Sequence, residues 1–149
     1  MKEEHILTED QKLQWWGKGP WTSEPDKVTF EHNGLKCLIR RIYHDKIPED
    51  LGGYFCGYVE IDEGHPLYHS NKRFDADVHG GVTWNGFMQD TYYVGFDCNH
   101  AWDISPAEQK LELCRVFDAK YRDINYVIEE CKYLANQIKD YKVEKEDDG

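Results

Sequence analysis

The stretch Lys27-Val28-Thr29-Phe30-Glu31-His32-Asn33-Gly34-Leu35-Lys36-Cys37-Leu38-Ile39-Arg40-Arg41-Ile42-Tyr43 decides the fold. Val28 and Phe30 alternate with Lys27, Thr29 and Glu31, the period of a half-buried strand. Asn33-Gly34 follows, the pair most at ease with the positive φ that both centres of a type I′ turn require. Residues 35–43 then resume as a second strand. An antiparallel hairpin over residues 27–43 anchors the reading of everything on either side.

Downstream, residues 52–62 are rich in Tyr, Phe and Val and read as a third strand. The connection to it, residues 44–51, is acidic and carries Pro48. Residues 64–74 hold Pro66 and several polar side chains and read as loop. Residues 78–84 and 91–98 read as two further strands, with Asn85-Gly86 opening the turn between them. Upstream, Thr8 before Glu9 and Asp10 is the cap of a short helix ending at Trp16. Gly17, Gly19, Pro20 and Pro25 break that helix, and Trp15, Trp16 and Trp21 flank the break. Residues 1–26 therefore read as a Trp-rich arm whose indoles fold back on the body.

The last third changes period. Ser105-Pro106-Ala107-Glu108 is a capping box with Pro at the first helical position, and Ala107, Leu111, Cys114 and Phe117 recur at helical spacing. Asp123 caps a longer helix in which Ile124, Val127, Ile128, Cys131, Leu134, Ala135 and Ile138 form one apolar stripe. Residues 144–149 read as an acidic tail. Strands first and helices last predict an α+β fold: a mainly antiparallel sheet of about five strands, with two C-terminal helices on one face. A parallel α/β sheet is disfavoured because helices do not alternate with strands. The 149 residues suit one domain, burying roughly 70% of the surface that the unfolded chain exposes.

Composition removes several function classes. No apolar run approaches the ~18 residues of a membrane span. No charged-then-apolar leader opens the sequence, which predicts a protein outside the Sec route. Lys and Arg number 18 against 29 Asp and Glu, a formal charge of −11. A protein that grips duplex nucleic acid through its phosphates needs the opposite balance. Five cysteines, an odd number with no C-x-x-C pair, read as buried free thiols in a reducing cytoplasm.

Polar chemistry is densest between residues 64 and 103, which hold His65, His69, His79, His100, Asp75, Asp77, Asp97 and Asp103, with Trp84 and Trp102. Asp75, Asp77 and His79 are spaced by two, so an extended segment would point them to one face. That set suits a divalent ion, a general base with its orienter, or a hydrogen-bond network that only shapes a loop. His79, Asp77 and His100 are the candidate catalytic groups if the protein is an enzyme. Gly80-Gly81 either lets backbone N–H groups approach a phosphate or makes an ordinary turn. Cys98 and His100 sit at alternate positions of one strand end, a poor geometry for a thiol and its base, so Cys98 reads as core. Trp84 and Trp102, beside the polar cluster, are the candidates for stacking a base. Lys18, Arg40, Arg41, Lys72 and Arg73 are the nearby cations. No recognised metal motif is matched, and no cofactor is implied.

Several short motifs recur together in order: Gly64-His65-Pro66, Asp77-Val78-His79-Gly80-Gly81-Val82-Thr83, Gly95-Phe96-Asp97-Cys98-Asn99-His100, and Tyr121-Arg122-Asp123 through Tyr126-Val127 and Glu130-Cys131 to Leu134-Ala135. Across residues 54–138 this resembles a family of small, uncharacterised bacteriophage and prophage proteins. The resemblance implies a setting rather than a catalytic list: the cytoplasm of a bacterial host, where small phage proteins sequester or cleave cyclic dinucleotide or ADP-ribose-type immune signals. The paired His-x-Thr or His-x-Ser motif of two-histidine phosphodiesterases is absent, since Gly80-Gly81 follows His79 and Ser70 directly follows His69. The leading expectation is a non-enzymatic, homo-oligomeric binder of a small nucleotide. Its pocket would be lined by His65, Asp77, His79, Gly80, Gly81, Trp84, Asp97, His100 and Trp102. The alternatives are a phosphoester hydrolase built on the same His/Asp cluster and an acidic inhibitor of a host protein.

Overall fold

The computed structural model describes residues 1–70, 74–110 and 118–142. The strands are β1 (Lys2–Glu4), β2 (Lys27–His32), β3 (Leu35–Tyr43), β4 (Gly52–Glu60), β5 (Trp84–Met88) and β6 (Thr91–Asp97). They form one sheet in the order β1-β2-β3-β4-β6-β5, and every neighbouring pair is antiparallel. The helices are α1 (Glu9–Trp16), α2 (Pro106–Lys110) and α3 (Ile124–Asp140). The α+β class is as the sequence predicts, with six strands rather than about five. No helix among the described residues is long and apolar enough to cross a membrane.

The anchoring hairpin is present. Asn33 and Gly34 turn with φ of 54° and 78°, and Val28 pairs with Ile39 as Phe30 does with Cys37. On the same face β4 sets Phe55 and Val59, and β6 sets Val94 and Phe96. The stripe of α3 lies on these residues: Ile124, Val127, Ile128, Cys131, Leu134, Ala135 and Ile138 are all buried in one cluster with them. α3 starts where expected, with the Asp123 carboxylate accepting from the Tyr126 N–H at 2.9 Å. The helix expected across Leu111, Cys114 and Phe117 is described only to Lys110. What is described of α2 packs against α1 and β4 instead of beside α3 on the sheet. The tail at 144–149 lies outside the described residues.

Three sequence expectations are corrected. β1 was not expected: its three polar residues carry no apolar alternation, and only pairing with Thr29, Val28 and Lys27 makes them a strand. Residues 78–83 are not a strand, because Gly80 and Gly81 turn the chain with φ of 68° and 76°. Asn85-Gly86 does not turn; both lie inside β5, paired with Val94 and Tyr93. The hairpin closes at Gln89-Asp90, with φ of 48° and 67°, so two non-glycine residues take the left-handed conformations of the I′ turn.

The N-terminal arm is fastened by buried charge. Thr8 caps α1 in a full capping box with Gln11. Trp16 and Trp21 are buried, and the Trp16 indole N–H donates to the Pro48 carbonyl at 2.7 Å. Beneath them Asp26 receives Arg41 Nε at 2.8 Å and Lys12 Nζ at 3.0 Å. Glu24 receives the Tyr121 hydroxyl at 2.6 Å and the Ile124 N–H at 2.7 Å, and faces Arg41 Nη2 at 3.5 Å. Two cations and two carboxylates thus neutralise one another inside the protein and tie the arm to β3 and to the start of α3. Burial holds the Lys12 ammonium below its ordinary value and pushes the Tyr121 phenol well above its own. No buried side-chain nitrogen or oxygen among the described residues lacks a partner.

Candidate functional site

The chain beyond β6 builds the site. Cys98 extends the sheet by one bond to the Phe55 carbonyl, and the Asp103 N–H then closes a turn onto the His100 carbonyl at 3.0 Å. A short parallel bridge between Asp103 and Lys120 fixes this turn against the segment leading into α3. From the other side, the Gly80-Gly81 turn reverses the chain just after His79, and the His79 N–H donates to Glu130 on α3 at 2.9 Å. Residues 79, 100 and 103 meet because a glycine turn, a strand end and the start of α3 converge there.

Asp103 is the hub. His79 Nε2 lies 2.9 and 3.0 Å from its two oxygens. The His100 N–H and Nδ1 reach Oδ2 at 3.0 and 3.2 Å, and Arg122 Nε reaches Oδ1 at 2.8 Å. Burial opposes the Asp103 charge, but hydrogen bonds from His79, the His100 backbone and Arg122 outweigh it and hold the carboxyl at about 2. A carboxylate only accepts, so His79 Nε2 and His100 Nδ1 both donate to it. Burial keeps the proton on the Tyr126 phenol, which pairs with His79 Nδ1 at 2.7 Å. Tyr126, His79 and Asp103 thereby form a continuous hydrogen-bonded chain.

The outer layer is aromatic. The Trp102 indole lies flat on the His100 imidazole, 4.9 Å between centroids and 3° from parallel, and is 47% exposed. Gly80 sits against the same imidazole so closely that a Cβ there would fall 2.3 Å from a ring carbon. His100 Nε2 points toward Asp97 Oδ1 at 3.7 Å, and Asp97 is itself held by the Thr83 hydroxyl at 2.7 Å.

Of the expected pocket residues, His79, Gly80, Asp97, His100 and Trp102 come together here. Gly81 lies on the other side of the glycine turn, on the wall of a cavity of about 580 Å³ that Gly80, Thr83, Trp84 and Asn85 also line. Trp84 packs edge-on against Tyr58, and no ring contact joins it to Trp102 among the described residues. His65 is a clamp elsewhere: its Nε2 meets the Ile138 carbonyl at 2.9 Å near the end of α3, and its ring stacks on Tyr141. Asp77 is exposed, and its backbone forms a two-point pair with the Gln137 amide at 2.7 and 2.9 Å. The Asp75-Asp77-His79 face does not form, since that segment is not a strand. Cys98 is buried and its thiol is pushed far up by burial, so it is no nucleophile. Lys72 and Arg73 lie outside the described residues.

The sequence reading gives Asp103 no role among the polar residues, and names Arg122, Tyr126 and Glu130 only within the motifs of the resemblance. One signal was present. These last three recur every four residues, a polar row beside the apolar stripe of α3. Comparison with protein-family models, curated proteins and solved structures found no match.

Proposed function

We propose that the protein binds and sequesters a small nucleotide signal, of the cyclic dinucleotide or ADP-ribose type, in the cytoplasm of a bacterial host. The observation that carries this reading is the half-exposed Trp102, stacked in advance on His100 and locked through Asp103. An indole immobilised before the ligand arrives loses little freedom on stacking a base. Arg122, half-buried over the Tyr126 ring, brings positive charge to the same edge and suits a phosphate. The resemblance of residues 54–138 to phage proteins supplies the setting, as a counter-defence protein. Sequestration is preferred to cleavage because both ring nitrogens of His79 are engaged by Tyr126 and Asp103.

A second reading, phosphoester hydrolysis, draws on one observation. His100 Nδ1 is oriented by a buried carboxylate, as the orienter holds a general base. Calorimetric titration of wild type and Trp102→Ala with a panel of these nucleotides tests the first reading. The expected result is saturable binding to wild type and about tenfold weaker binding to the variant, within the ~1–3 kcal/mol of one base–aromatic stack. Equal binding by both proteins contradicts the assigned platform. A product peak would favour the hydrolase.

A further inference from the structure

We infer that His79, His100 and Asp103 form a binding site for one divalent transition-metal ion of the zinc class. Each of the three side chains presents a ligand atom, and these atoms lie within 4.8 Å of one another. Asp103 Oδ2 is 3.0 Å from His79 Nε2 and 3.2 Å from His100 Nδ1. A tetrahedral zinc ion with bonds of 2.0–2.2 Å sets its donors about 3.3 Å apart, so two of the three edges already have nearly that length. Two imidazoles and one carboxylate are a donor set that zinc and its neighbours accept.

The surroundings supply what such ligands require. A metal-bound imidazole donates its second ring N–H to an acceptor that fixes its orientation. His79 Nδ1 has the Tyr126 oxygen at 2.7 Å, and His100 Nε2 faces the Asp97 carboxylate at 3.7 Å, an electrostatic contact rather than a hydrogen bond. The second oxygen of Asp103 is held by Arg122 at 2.8 Å, leaving Oδ2 to face the two imidazoles. Formal charge also fits: Asp103, Asp97 and Glu130 against Arg122 leave two negative charges around the two imidazoles, matching a divalent cation. Three protein ligands leave a coordination position open to an exogenous oxygen ligand. On binding, the ring proton moves through water from His79 Nε2 to Nδ1 and from His100 Nδ1 to Nε2, the Tyr126 hydroxyl turns to accept at His79 Nδ1, and the ion takes the place of the two hydrogen bonds to Asp103. This assignment does not rest on the nucleotide reading.

Chelator-treated full-length protein titrated with cobalt(II) tests it. The expected result is one equivalent bound, with the visible absorption of a low-coordinate cobalt centre that zinc abolishes. His100→Gln should lose that absorption while keeping the far-ultraviolet dichroism of wild type. Tyr126→Phe, which keeps all three ligands, should bind about tenfold more weakly. Failure of wild type to take up cobalt or zinc overturns the site, as does an absorption that survives His100→Gln.

Discussion

The imidazole of His100 and the indole of Trp102 lie 3° from parallel with their centroids 4.9 Å apart, and that imidazole is itself bonded to the buried Asp103. The platform is thus held by a buried charge one layer below it. His100→Ala removes the backing without removing the indole. The expected outcome is about tenfold weaker nucleotide binding and a fall in tryptophan fluorescence anisotropy, with Trp102→Phe retaining part of the affinity. Unchanged affinity in His100→Ala would show that the stack plays no part in recognition.

Asp103 is 2% exposed and collects donors from three side chains. Asp103→Asn takes away the charge that Arg122 faces and puts an amide N–H where an acceptor is needed. A loss of about 3 kcal/mol in urea denaturation is expected, the usual cost of breaking a buried ion pair on one side. A loss below ~1 kcal/mol would mean that Asp103 is not the hub.

Gly80 and Gly81 both turn with positive φ, yet differ in what surrounds them. A Cβ at Gly80 would meet the His100 ring at 2.3 Å, whereas one at Gly81 has nothing within 4 Å. Gly81→Ala should therefore cost only backbone strain of about 1–2 kcal/mol and keep ligand affinity. Gly80→Ala should cost that strain and also displace His100, with loss of binding. Equal effects on affinity would separate Gly80 from the platform.

What the sequence makes legible is what depends on local pattern. The hairpin at 27–43, the Thr8 and Asp123 caps and the stripe of α3 all follow from spacings of a few residues. Asn85-Gly86 has the composition of a I′ turn yet lies within β5, whereas Gln89-Asp90, without a glycine, makes the turn between β5 and β6. The clamp of Lys12, Glu24, Asp26 and Arg41 joins charges from three separate elements, and no window along the chain shows them as partners. His79 and His100 were legible as polar candidates. Their meeting at Asp103, and the part played by Arg122 and Tyr126, required the glycine turn and the start of α3 to be placed in space.

Arg41 is buried with Asp26, Glu24, the Gly53 carbonyl and Tyr121 around its guanidinium. Arg41→Met should destabilise by about 3–5 kcal/mol, since it leaves two buried carboxylates short of a partner. Arg41→Met combined with Glu24→Gln should cost less than the sum of the single changes, because both remove part of one network. Strict additivity in denaturation would show that the charges act independently.

Alkaline pH should weaken the fold. Burial pushes the Cys56 thiol from 9.0 up to about 12 and raises the Tyr58 phenol too. A folded-state value above the unfolded one gives stability that is complete below pH 9 and is lost as pH rises toward 12. Lys12, held low by burial, works in the opposite sense. The comparison is therefore Tm against pH for wild type and Cys56→Ala, which share Lys12. The variant should show the shallower decline; identical slopes would contradict the shift.

Sequestration is read out by mass spectrometry. Pure protein is mixed with a panel of cyclic dinucleotides and ADP-ribose-type signals, filtered, then heat-denatured, and the released compounds are weighed. One compound should vanish from the filtrate and return at its intact mass on heating, with less retained by Trp102→Ala. If every compound stays in the filtrate, or if the retained one returns at a changed mass, sequestration by this site is wrong.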